Sequence, residues 1–227
     1  METIAERLKS VQNTVEQSTL GAHRPPNSVK LLAVSKTKPV SDIVQAYEAG
    51  QCLFGENYVQ EGVEKIQALH ALDDIVWHFI GPLQSNKTRL VAKHFDWVQT
   101  LDRLKIAQRL NDQTCVNKKL NVCIQVNIDN DDNKAGISAE QLNDFAKAIS
   151  KLPNLTLRGL MTIPKANQSE AQQAASFAHM TALFEDIKQQ YVSVDTLSMG
   201  MSQDMQNAID NGSNMVRVGT AIFGSRN

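Results

Sequence analysis

The stretch Val29-Lys30-Leu31-Leu32-Ala33-Val34-Ser35-Lys36 decides the fold. Residues 29–35 are few, largely apolar and preceded by the turn-forming Arg24-Pro25-Pro26-Asn27, which marks a buried strand rather than a helix. A strand buried on both faces needs helices to cover it, and both flanks supply them. Upstream, Ile4, Leu8, Val11 and Val15 share one helical face, while Glu2, Glu6, Arg7, Lys9 and Gln12 lie elsewhere and the pattern stops before Gly21. The chain therefore opens with an amphipathic helix. Downstream, residues 41–49 read as a second helix, ended by Gly50.

Strand and helix then alternate. Further strands are predicted at 52–55, 76–80, 97–100, 122–128, 156–161, 196–199 and 215–223, with helices at 58–71, 86–94, 102–114, 139–150, 168–190 and 203–211 between them. Eight strands result, each of the first seven followed by a helix, and no hairpin signal joins neighbours. Eight is the closure number of the TIM barrel. Residues 1–227 are thus read as one α/β domain, a single (β/α)8 barrel with an extra N-terminal helix. The rival is an open, doubly wound sheet, whose site would also lie at the C-terminal strand edge.

Composition narrows the partners. A chain of 227 residues with 42% hydrophobic content can bury roughly 70–75% of its unfolded surface, enough for a core without disulfides or metal. Its 23 Lys+Arg against 24 Asp+Glu give a net charge of −1, so no broad attraction for nucleic acid or an anionic membrane is expected. Cys52, Cys115 and Cys123 form no CxxC pair, and the histidines show no HExxH-type spacing; neither a disulfide framework nor a metal site is indicated. With no apolar leader or ~18-residue apolar span, a cytoplasmic, uncleaved, soluble protein with a small-molecule partner is expected.

Functional groups of such a barrel gather where strands end. Strand alternation puts Lys36 on the face of Leu32 and Val34, with Lys38 two residues on. If that face is the barrel interior, desolvation and a cationic neighbour both lower the Lys36 pKa toward a nucleophilic amine, as a Schiff base requires. The alternative is a strand-end lysine that snorkels to water. Arg217 interrupts the apolar run 215–223, where an unpaired guanidinium is costly. Its partner is either a structural carboxylate or the ring nitrogen of a bound heterocycle, since enzymes of pyridoxal 5′-phosphate (PLP) fix their pyridine nitrogen with an acid or an arginine. Ser202 is placed to cap the following helix, and Gly219-Thr220 offers open backbone beside a hydroxyl; together they make a candidate phosphate site.

Other polar residues carry less. Asn57, or Tyr58 beside it, can reach a ring edge or cap the next helix. His78 lies in Val76-Trp77-His78-Phe79-Ile80 and reads first as a core histidine. Lys134, in the polar loop 129–136, reads as solvated, with a site-facing role as the alternative.

Several segments together resemble the pyridoxal phosphate homeostasis protein family (YggS-like, PROSC-like), single-domain relatives of the N-terminal barrel of alanine racemase. They are Ala33-Val34-Ser35-Lys36-Thr37-Lys38, Phe54-Gly55-Glu56-Asn57-Tyr58-Val59-Gln60-Glu61, Trp77-His78-Phe79-Ile80-Gly81, Leu83-Gln84-Ser85-Asn86-Lys87, Gly159-Leu160-Met161-Thr162, Ser198-Met199-Gly200-Met201-Ser202 and Arg217 through Gly224. The resemblance spans nearly the whole chain. It implies a Schiff base on Lys36, Arg217 at the pyridine nitrogen, and the phosphate on Ser202, Gly219 and Thr220.

The chain ends at Asn227, without the second domain that in the racemase supplies a catalytic tyrosine across a dimer interface. A monomeric PLP carrier or regulator of vitamin B6 balance, with apo PLP enzymes as transient partners, is therefore expected over a racemase-like PLP enzyme. An arginine partner also leaves the ring nitrogen unprotonated and a poorer electron sink, and no second acid/base faces Lys36. A phosphate-binding barrel without PLP is a third possibility, and it would be colourless.

Overall fold

The apolar runs pair in chain order into a closed parallel barrel: β1 (Lys30–Val34), β2 (Leu53–Glu56), β3 (Val76–Phe79), β4 (Trp97–Leu101), β5 (Leu120–Gln125), β6 (Leu155–Met161), β7 (Thr196–Met201) and β8 (Met215–Val218). The computed structural model describes residues 2–115 and 118–225. Closure comes from β1 pairing with β8 as well as β2, with Leu32 opposite Arg217 and Ala33 opposite Val218. An open sheet is thereby ruled out.

Helices α1 (Ile4–Gly21), α2 (Val40–Glu48), α3 (Val59–Ala68), α4 (Thr88–His94), α5 (Leu104–Gln113), α6 (Leu142–Ile149), α7 (Glu170–Gln190), α8 (Met205–Asp210) and α9 (Thr220–Phe223) surround the sheet. The predicted amphipathic start is α1. Thr3 caps it in a capping box with Glu6, and its buried Ile4, Leu8, Val11 and Val15 lie against α2, α8 and α9. Burying a side chain such as Leu8 contributes about 1.5–3 kcal/mol, which holds α1 across the seam where the barrel closes. Among the described residues no helix is long and apolar enough to cross a membrane.

Strand alternation sorts β1 as expected. Leu31 and Ala33 join the main core under the helices, whereas Leu32 and Val34 cluster with Ile80, Met215 and Leu53 inside the barrel.

Two elements differ from expectation. The predicted strand 122–128 starts earlier and ends at Gln125, and Val126 keeps only an isolated bridge to Ile137. The run 215–223 is not one strand: it stops at Val218 and turns into α9. Its neighbour β1 ends at Val34, so a longer β8 would have nothing to pair with on that side.

Candidate functional site

Lys36 follows β1 by two residues and is partly buried. Its neighbours are held by charges that no local pattern announced. Glu56, the last residue of β2, is fully buried; its Oε1 accepts from Ser35 Oγ at 2.6 Å and from Lys65 Nζ at 2.8 Å. Burial lifts the Glu56 carboxyl above its ordinary pKa, outweighing the lowering by Lys65 and Ser35. Glu56 Oε2 is buried without a hydrogen-bond partner.

Arg217, in β8, is buried inside the barrel at 5% exposure. The carboxylate that one reading offered it does not appear: among the described residues no ion pair involves Arg217. Instead Nη1 donates to Ser198 O at 2.9 Å and Ser198 Oγ at 2.8 Å, and Nη2 to Thr162 O at 2.9 Å. Desolvation lowers its pKa to about 10, still a full cation at neutral pH. Three bonds to neutral oxygens do not exhaust a guanidinium's five donors.

Behind it, polar contacts cross the barrel. Ser198 Oγ donates to Gln99 Oε1 at 2.7 Å, and Gln99 Nε2 meets His78 Nδ1 at 2.9 Å and Met215 Sδ at 3.2 Å. His78 is indeed a core histidine, stacked on Trp97 with centroids 4.9 Å apart. Burial, aided by the Lys30 charge, drives its pKa down to about 3, so it is neutral. Its Nε2 has no partner.

Ser202 does not cap the next helix as its position suggested. α8 begins three residues later at Met205, its cap residue is Asp204, and Asp204 Oδ1 takes the Met201 N–H at 2.5 Å. A nearer carboxylate on the same turn has displaced the serine from that role and left it exposed. Ser202 nevertheless shares a cavity of about 270 Å³ with Val218 and Ala221, the residues flanking Gly219-Thr220, beneath Arg7 and Val11 of α1. In α9 the first intrahelical bonds are those of Ile222 and Phe223 to Gly219 O, so the N–H groups of Thr220 and Ala221 have no intrahelical acceptor. Both residues are exposed. A Cβ on Gly219 would stand 3.0 Å from Val34 O, which is why the backbone comes so close to β1.

The remaining candidates separate. Asn57 is partly buried, its Oδ1 has no partner, and it does not cap α3, whose cap residue is Tyr58. Tyr58 is 54% exposed. Lys38 is occupied by a bond from Nζ to Ser225 O at 2.8 Å. Lys134 is not simply solvated: it is half-buried, and Nζ donates to Ile163 O and Pro164 O, pinning its loop to the loop after β6.

The barrel has known counterparts. The family model of the alanine racemase N-terminal domain matches residues 8–227. A pyridoxal phosphate homeostasis protein of Pasteurella multocida is 58% identical over 228 positions, covering 99% of this chain and 98% of that protein. The chain belongs to this family. PipY of Synechococcus elongatus, solved both without PLP and with PLP bound, is 38% identical; the two structures give TM-scores of 0.87 and 0.84 and cover 98% of this chain and 100% of PipY. Alanine racemase from Corynebacterium glutamicum, at 15% identity and a TM-score of 0.68 over 61% of its length, shares the fold.

Proposed function

We propose that this protein binds PLP at the barrel mouth through Lys36 and serves PLP homeostasis as a cytoplasmic carrier or regulator. The observation that carries the reading is Arg217, a buried cation bonded only to neutral oxygens beside β1, in a chain whose relative PipY has been solved with PLP bound. The residues present fit such a group. Arg217 keeps donor capacity for a ring nitrogen, Asn57 Oδ1 is an orphaned acceptor for a ring hydroxyl, and a side chain at Gly219 would crowd Val34 O, its Cβ only 3.0 Å away.

In this reading Lys36 supplies the amine of a Schiff base, Arg217 and Asn57 orient the ring, and Ser202 with the Gly219-Thr220 backbone binds the phosphate. PLP supplies an electrophilic aldehyde and an electron-withdrawing ring; a ring nitrogen facing arginine stays unprotonated, which favours storage over carbanion chemistry. Apo PLP enzymes are the transient partners.

The test mixes PLP-loaded protein with an apo PLP enzyme and, separately, follows exchange of amino-acid α-protons in deuterated water. Reactivation without exchange is expected. Rapid exchange that depends on Lys36 would make the protein an enzyme and overturn the carrier reading.

A further inference from the structure

Lys36 sits in a turn that is strained and tightly held. Thr37 has φ of 65°, the left-handed region, where a β-branched side chain crowds the backbone and glycine or asparagine is the ordinary occupant. Such a conformation persists only where its surroundings over-determine it. Here they do. Ser35 O accepts from Lys65 Nζ at 2.8 Å, and the Thr37 N–H donates to Glu61 Oε1 at 2.5 Å. Lys65 Nζ also contacts Glu56 Oε1 at 2.8 Å and Glu61 Oε1 at 2.6 Å, so all three of its N–H donors are engaged. Ser35 Oγ adds its bond to Glu56. Both chain neighbours of Lys36 therefore hang from one ammonium and two carboxylates, with the Lys65 side chain 6% and that of Glu56 0% exposed.

Burying such a cluster is costly, and apolar replacements of similar volume often stabilise a protein as well or better. A strand end does not need it to fold. What charge-assisted bonds on both sides of one residue provide is a fixed backbone direction.

We propose that Glu56, Lys65 and Glu61 are positioning residues, which hold the Ser35-Lys36-Thr37 turn in the strained conformation from which the Lys36 amine meets the cofactor. This rests on Lys36 being the lysine that bears PLP. Without the clamp the turn relaxes away from the left-handed conformation of Thr37, and covalent capture of PLP slows and weakens.

Glu61→Gln is the informative variant, because Glu61 is 28% exposed and the amide keeps its size while discarding the charge that holds Lys65 and Thr37. Apo protein is mixed with PLP, Schiff-base absorbance is followed, and the borohydride-fixed label is mapped. Capture is expected to weaken roughly tenfold, with the unfolding midpoint close to that of the parent. In a Thr37→Gly background, where the left-handed turn carries no side-chain penalty, Glu61→Gln is expected to cost less than about twofold. Ser35→Ala, which deletes one hydroxyl, is expected to shift capture in the same direction. If the parent is labelled on Lys36 and Glu61→Gln captures PLP equally well, or loses as much in the Thr37→Gly background, the clamp is overturned alone. A parent label on another lysine overturns both the clamp and the Lys36 assignment.

Discussion

On the β1–β2 side of the barrel mouth, the buried ammonium of Lys65 spends all its donors on Ser35, Glu56 and Glu61, whereas on the β7–β8 side the buried guanidinium of Arg217 meets only Ser198 and Thr162 oxygens. The chain behind Arg217 stays neutral through Ser198, Gln99 and a His78 that burial keeps unprotonated. The contrast is instructive. Charge on the first side is ion-paired directly within the protein and shapes the backbone, while the guanidinium on the second side contacts only neutral oxygens and feels a carboxylate, that of Asp204, without an ion-pair contact. A change on the first side should therefore register mainly in stability and in Lys36 presentation, and one on the second mainly in ligand affinity.

The largest effect is expected from Lys65→Met. Removing one partner of a buried pair costs about 3–5 kcal/mol, measurable by urea unfolding at neutral pH. Glu56 then loses the charge that moderates its pKa. A carboxyl whose folded pKa lies above its ordinary value of 4.5 contributes stability below that value and loses it as pH rises through the folded value. The deficit should accordingly shrink as pH is lowered toward 4.5; a pH-independent deficit would mean that only the packing of the Lys65 stem was lost.

His78 sharpens the other side. Its folded pKa of about 3 lies below the ordinary 6.5, so its contribution is present above pH 6.5 and is lost as pH falls toward 3, at up to about 1.4 kcal/mol per pH unit. His78→Gln should flatten that slope in unfolding curves collected between pH 6.5 and 4. Parallel slopes for parent and variant would show that the imidazole accepts a proton inside the fold.

Arg217→Met loses three bonds but also an expensive buried charge, so stability should change less than for Lys65→Met. PLP affinity should fall roughly tenfold to a hundredfold, read by titration. A stability loss matching that of Lys65→Met with PLP affinity intact would erase the distinction between the two sides. The smallest effect is expected from Ser202→Ala: a single hydrogen bond, about threefold to tenfold weaker PLP binding, and no change for pyridoxal, which lacks the phosphate. Equal losses for both ligands would move the phosphate elsewhere.

The barrel was legible in the sequence because each strand is an apolar run between turn signals, and Lys36 and Arg217 stood out as cations interrupting or ending such runs. Ser202 misled because capping rules weigh one residue at a time, and Asp204, two positions on, took the turn. The helix at Thr220–Phe223 was hidden inside an apolar stretch, since its start depends on where β1 stops pairing. Glu56 and Lys65 were not legible at all: Lys65 looks like half of a solvated helical pair with Glu61, and only the packing of α3 against β2 turns it inward.

Borohydride reduction of the PLP-loaded protein, followed by peptide mapping, tests the Lys36 assignment most directly. The pyridoxyl group should be found on Lys36 and be absent from Lys36→Ala, which should keep the parent's unfolding midpoint. Recovery of the label solely on Lys38 or Lys134 would contradict it.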